Sequence, residues 1–149
     1  MKAVILTKPD IEALIPHAGG MCLLEQVLSY TDQEIICRTQ SHLEVNNPLK
    51  TDGKLSKMHL IEYGAQAIAV HGGLMAQSLA IGAPKLGYIA TVKAVKWGEF
   101  DPLTEFLEVA ARAIAADEMS KLYAFCVTDA ELRNVCSGRV MVIHPDSDL

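Results

Sequence analysis

The stretch MHLIEYGAQAIAVHGGLMAQSLAIGAP, residues 58–84, carries one formally charged side chain, Glu62. Everything around that carboxylate is apolar, small or neutral. Met58, Ile61, Ala65, Ile68, Gly72, Met75 and Leu79 recur at alternating spacings of three and four, the repeat of an α-helix. Leu60, Gly64, Ala67, His71 and Leu74 line a second face, also small or apolar. Ser56 is placed to cap this helix, which runs to about Leu79. A helix apolar nearly all round is enclosed by other structure. Glu62 and Gln66 stand one turn apart as a narrow polar stripe inside that enclosure. An ionised carboxylate is costly to bury, which leaves two readings for Glu62: a structural acid bonded to nearby backbone, or an acid that does chemistry.

The stretch is long enough for a membrane span, and Lys57 and Lys85 flank it. Glu62, Gln66, His71, Gln77 and the pair Gly72-Gly73 argue against that, and the rest of the chain needs something to pack on. A buried core helix is the better reading.

Outward from the helix the pattern turns to β. Cys22 to Tyr30 and Glu34 to His42 read as strands separated by a turn at Thr31-Asp32-Gln33, followed by an irregular loop from Leu43 to Leu55. Four more runs follow the helix: Leu86 to Trp97, Glu105 to Ala116, Lys121 to Ala130 and Asn134 to His144. The first alternates, with Tyr88, Ala90, Val92, Ala94 and Lys96 against Ile89, Thr91, Lys93, Val95 and Trp97. Breaks at Asp101-Pro102, Asp117-Glu118 and Glu131-Leu132-Arg133 are short enough for antiparallel neighbours, which predicts a four-stranded meander. Pro9-Asp10 before IEALI predicts a short N-terminal helix capped by Asp10. The whole is one α+β domain over residues 1–149, an antiparallel sheet wrapped around one helix. One sheet over one helix leaves an edge or an open face, so dimerisation is expected.

Composition bounds the function. Hydrophobic residues make up 50%, which argues against disorder, and the net charge of −5 argues against nucleic acid as partner. Cys22, Cys37, Cys126 and Cys136 show no metal-ligand spacing and read as small core residues. No metal or cofactor is implied. The apolar run in MKAVILTKPD is too short for a signal peptide, so a reduced cytoplasm is the expected location.

Two stretches carry a family resemblance. Ile15-Pro16-His17, followed by Met21-Cys22-Leu23-Leu24-Glu25-Gln26-Val27, resembles the opening of bacterial 3-hydroxyacyl-[acyl-carrier-protein] dehydratases, and Ile61-Glu62-Tyr63-Gly64-Ala65-Gln66-Ala67 resembles their "LEAMAQ" helix motif. The order and lengths of the elements look like their hotdog fold, a curved antiparallel sheet around a central helix. A divergent subfamily linked to aryl polyene pigment clusters is closer. Its pattern is matched by Pro16-His17-Ala18-Gly19-Gly20-Met21, by Asn47-Pro48-Leu49 with Gly53, and by Glu62-Tyr63 with Ala65-Gln66 and His71-Gly72. These matches span about residues 11–75.

The resemblance implies elimination of water from a 3-hydroxyacyl thioester. In the typical enzyme a histidine in a "GHFPG" loop of one subunit takes the proton beside the thioester carbonyl, and the motif's glutamate, on the partner's helix, helps protonate the departing hydroxyl. Glu62 matches that glutamate; a carboxyl group among apolar walls is suited to holding a proton near neutral pH. Gln66 is expected either to orient it or to cap a helix carbonyl. The loop, however, reads Asn46-Asn47-Pro48-Leu49-Lys50-Thr51-Asp52-Gly53, with Pro48 about where the histidine would sit. His17 is the leading replacement, its bland alternative being a histidine bonded to backbone in a tight turn. His59, at i−3 from Glu62, is within hydrogen-bonding reach of it and, with Asn47, Pro48 and Gln66, is a candidate substrate contact. His42 reads as a surface residue and His71 as a satisfied core histidine.

Other classes stay open: a hotdog thioesterase, whose helix acid serves as nucleophile or base, or a catalytically weak subunit shaping an acyl tunnel with a second hotdog chain. A homodimer or heterodimer fits either. An acyl carrier protein is acidic, so Lys50, Lys54 and Lys57, with Lys85, Lys93 and Lys96, are its candidate docking residues.

Overall fold

The computed structural model describes residues 4–15, 19–78 and 88–143. The expectations placed on Pro16-His17-Ala18, Leu79, Lys85, Leu86 and His144 lie outside those residues.

The long helix forms, and a sheet takes its buried side. Ser56 Oγ accepts the Met58 N–H at 3.3 Å and caps a 3₁₀ turn, Lys57–His59, that runs straight into the helix Leu60–Ser78 (α2). Leu60, Gly64, Ala67, His71 and Leu74, the second face of the sequence pattern, are buried, and Tyr63 is buried with them. Burying a side chain such as Leu60 contributes about 1.5–3 kcal/mol. At Gly64 the helix meets the sheet so closely that an added Cβ would lie 2.5 Å from Phe125 Cδ2. The expected enclosure is one-sided. Ile61, Ala65, Ala69, Gly72 and Met75 stay half-exposed, because one sheet covers one face of a cylinder.

That sheet has seven antiparallel strands: β1 (Leu6–Thr7), β2 (Gln26–Tyr30), β3 (Glu34–Thr39), β4 (Tyr88–Trp97), β5 (Leu107–Ala116), β6 (Ser120–Thr128) and β7 (Asn134–Ile143). The spatial order is β1-β2-β3-β5-β6-β7-β4. This corrects the expected meander. β5, β6 and β7 are successive neighbours, but β4 lies beyond β7, and β5 pairs with β3 through Ile35–Ala111 and Cys37–Val109. The connection between β4 and β5 spans residues 98–106, long enough to cross the end of the sheet. Filling the slot beside β3 lets Val109 and Ala111 bury with Ile35 and Cys37, all 2% exposed or less.

Three local expectations also change. Strict alternation in β4 is broken by irregularities between Ile89 and Thr91 and between Lys93 and Lys96, with Ala94 at φ +56°. Ile89, Val92 and Trp97 consequently share a face, opposite Val142, Val140 and Cys136. The short N-terminal helix, Lys8–Glu12 (α1), is capped by Thr7 rather than Asp10. Asp10 sits at the third helical position, where its carboxylate accepts the Thr7 N–H and hydroxyl, each at 3.0 Å. His42 is no surface residue: it is 1% exposed in a 3₁₀ turn, Ser41–Leu43, that follows β3.

Candidate active site

Gln66 joins α2 to the chain entering β2. Its side chain is 1% exposed. Oε1 accepts the Leu23 N–H at 2.8 Å, while Nε2 donates to the Met21 carbonyl at 2.8 Å and to Glu62 Oε1 at 3.2 Å. The Leu23 donor fixes which end of the amide is oxygen, so Gln66 can offer Glu62 nothing but N–H. Oε1 of Glu62 is therefore an acceptor, and in the protonated acid the proton resides on Oε2. Gln66 thus brackets the chain entering β2 and donates to Glu62; the carbonyl it caps is that of Met21, not one of α2.

A second set of bonds ties the loop around Asn47 to the same helix. The Leu23 carbonyl accepts the hydroxyls of Thr39 at 2.5 Å and Ser41 at 2.7 Å. Since the Ser41 hydrogen points to Leu23, Tyr63 donates to Ser41 Oγ at 2.9 Å, and Tyr63 accepts from Asn47 Nδ2 at 3.0 Å. Asn47 Nδ2 also donates to the Ser41 carbonyl at 2.9 Å, and Asn47 Oδ1 accepts the Leu49 N–H at 2.9 Å. The hydrogen-bonding groups of the Asn47 amide are thus used to hold the loop. Burial pushes the Tyr63 phenol up, and its bonds to Ser41 and Asn47 pull against that. Pro48, which the family resemblance sets about where a histidine would sit, is exposed and brings no side-chain donor or acceptor.

The remaining candidates separate. His59 ends the 3₁₀ turn one helical turn before Glu62, half-buried, with Nδ1 buried and without a hydrogen-bond partner among the described residues. His71 is the satisfied core histidine expected: Nε2 donates to the Thr31 carbonyl at 2.9 Å, so Nδ1 accepts the Tyr123 hydroxyl at 2.8 Å. Burial lowers its pKa and pushes Tyr123 up to about 12. His42 donates from Nε2 to the Thr104 carbonyl at 2.7 Å. His17 lies outside the described residues. Lys54 and Lys57 are exposed and Lys50 is half-buried at the approach to α2. The sequence reading missed the roles of Ser41 and Tyr63. Their signal was a phenol adjoining Glu62 on a buried helix, where a hydroxyl needs a partner.

A family model for ApeP-like proteins, described as ApeP dehydratase, matches residues 9–149. The chain belongs to the ApeP-like dehydratase family. Among solved structures it is similar to the dehydratase heterocomplex ApeI:P from Xenorhabdus doucetiae, with 25% identity over 93% of this chain and 92% of that one and a TM-score of 0.79. It is also similar to zebrafish thioesterase superfamily member 2, at 14% identity over 94% and 99% of the two chains with a TM-score of 0.62. A hypothetical thioesterase of Streptococcus pneumoniae with coenzyme A aligns at 15% identity over 80% and 84%, TM-score 0.60. The last two show the fold alone, and that fold is the hotdog. No curated protein matches the chain. The chain is thus a dehydratase-like member of the hotdog fold, and among the described residues no helix is long and apolar enough to cross a membrane.

Proposed function

We propose that this chain eliminates water from 3-hydroxyacyl thioesters of aryl polyene or fatty acid biosynthesis, paired with a second hotdog chain and served by an acyl carrier protein. The observation that carries the reading is the Glu62–Gln66 pair, a half-buried acid on the central helix with one oxygen occupied by an amide N–H. Elimination needs a base for the proton on the carbon beside the thioester and an acid for the departing 3-hydroxyl. Glu62, protonated on Oε2, supplies the second proton, releasing water as the double bond forms. His17 is the base assigned to the first proton. Both flanks of its segment lie against α2, Leu14 beside Gly73 and Met21 on Gln66, which supports the assignment. The proton taken by the imidazole then returns to the Glu62 carboxylate, so the pair ends as it began. His59, one turn before Glu62, is the assigned substrate contact, with Asn47 and Pro48 in the loop that Tyr63 ties to the same helix.

Pairing is supported by what the protomer leaves uncovered: the half-exposed helix face at Ile61, Ala65 and Gly72, and the edge strand β4. The similar Xenorhabdus structure is a heterocomplex of two different chains by its own description. For the carrier, Lys50, Lys54 and Lys57 offer local positive charge on a chain of net charge −5.

The test is turnover of a 3-hydroxyacyl thioester beside that of the plain acyl thioester, by the chain alone and with a second hotdog dehydratase chain. Enoyl thioester from the first substrate is the expected product. Free thiol from the plain acyl substrate at a comparable rate would show hydrolysis and contradict the proposal.

A further inference from the structure

β4 and β7, ten residues each, hold Lys93, Lys96 and Arg139 and not one carboxylate, in a chain whose net charge is −5. Lys93 pairs across the sheet with Arg139, and Lys96 with Ser137. Residues directly opposite in an antiparallel pair point to the same side, so these cations share the sheet face away from α2. The row continues inward, from Arg139 to Ala124 and on to Arg112. Lys93, Lys96, Arg112 and Arg139 are all exposed. On the helix side of the same strand Ile89, Val92 and Trp97 are 48%, 37% and 40% exposed. The outer edge of β4 has no strand beside it among the described residues. An unpaired edge with an apolar flank on one face is a pairing surface.

Its charge decides what it pairs with. A second copy meeting this edge about a two-fold axis normal to the sheet sets β4 antiparallel to itself, with the two apolar faces side by side. A register centred on Val92 puts Lys93 opposite Thr91 and diagonal to the second copy's Lys93. A register centred between Ala94 and Val95 puts Val92 opposite Trp97 and Lys93 directly opposite Lys96, twice. Both bring lysines of the two copies together beside two Arg139 side chains, and like charges at such positions destabilise a strand pair. Building on the paired reading above, we propose that β4 is charged against self-pairing and takes the edge strand of a different chain of the same fold, one that presents carboxylates opposite Lys93 and Lys96. The cations act as a repulsive element that rejects the second copy and as an attractive one for the acidic edge.

The chain itself supplies the probe. Lys93→Glu/Lys96→Glu changes two exposed side chains and converts the edge into the acidic partner the proposal describes. Sedimentation equilibrium is run on the wild type, on the variant and on their equimolar mixture, at low and high salt, with melting temperatures confirming that both fold. The mixture is expected to associate roughly tenfold more tightly than either chain alone at low salt, with the advantage shrinking at high salt. Wild-type self-association should strengthen as salt rises, a measurement that needs no variant. Wild-type dimers as tight as the mixture at low salt would overturn the charge selection and leave pairing through β4 standing. Absence of association in all samples at both salts would overturn the selection together with β4 pairing.

Discussion

Gln66 holds Glu62 through one N–H, 3.2 Å from Nε2 to Oε1, and holds the backbone at Met21 and Leu23 with the rest of its amide. A single side chain therefore couples the packing of α2 onto the sheet to the orientation of the acid.

Gln66→Met keeps the volume and removes every one of those bonds. The Leu23 N–H is then buried without that partner, at about 1–3 kcal/mol, and the part-buried Met21 carbonyl loses its donor. Urea unfolding should show a lower midpoint with an unchanged slope. Activity should drop further than stability explains, with an altered pH–rate profile, because Glu62 loses its fixed orientation.

Gly64→Ala tests the close approach of α2 to β6. In an exposed helix that change stabilises, but here the new Cβ meets Phe125 Cδ2 at 2.5 Å. Overpacking should win by about 1–3 kcal/mol, read as a lower melting temperature.

Tyr63→Phe removes the hydroxyl that links Ser41 and Asn47. The Asn47 N–H loses a buried acceptor, and the loop through Pro48 should show faster amide hydrogen exchange while the strands keep their protection. Equal exchange throughout would mean the phenol does not hold that loop.

His42 and His71 are both lowered from 6.5 by burial, opposed in part by their bonds to Thr104 and Thr31. The unfolded chain binds those protons more readily than the fold does, so their neutral state favours folding above pH 6.5 and that advantage is lost as pH falls below it. Denaturation midpoints measured downward from neutral pH should decline over that interval. His71→Gln should flatten the decline.

How much was legible in the sequence follows from the range of each interaction. The helix, its cap at Ser56 and the pair Glu62–Gln66 could be read because spacing along one helix is local information. His71 followed for the same reason, a polar ring on a face that had to be buried. The position of β4 could not, since pairing with β7 rather than β5 is set by which slots the other strands fill. His42 was misplaced because its burial depends on the Thr104 carbonyl, far along the chain. The alternation in β4 failed first between Ile89 and Thr91 and shifted back near Ala94, so Val92 joins Ile89 and Trp97 on one face. At the site, Asn47 was singled out as a substrate contact from the resemblance alone; its bonds to Ser41, Leu49 and Tyr63, which hold the loop, depend on contacts that spacing does not show.

The central claim is that Glu62 is the acid of a dehydration, and Glu62→Gln tests it most directly. The substituted amide's oxygen can accept the same Gln66 N–H and carries no charge to bury, so the protein should fold and melt close to the wild type. The amide has no acid proton to give the leaving hydroxyl, so formation of enoyl thioester should fall by roughly 10²-fold or more. His17→Ala should cost a similar factor, and the double variant little more than either alone. Rate and melting temperature measured on the same preparations give the answer. An unchanged melting temperature with the rate lost is the predicted result; a wild-type rate in Glu62→Gln would contradict it.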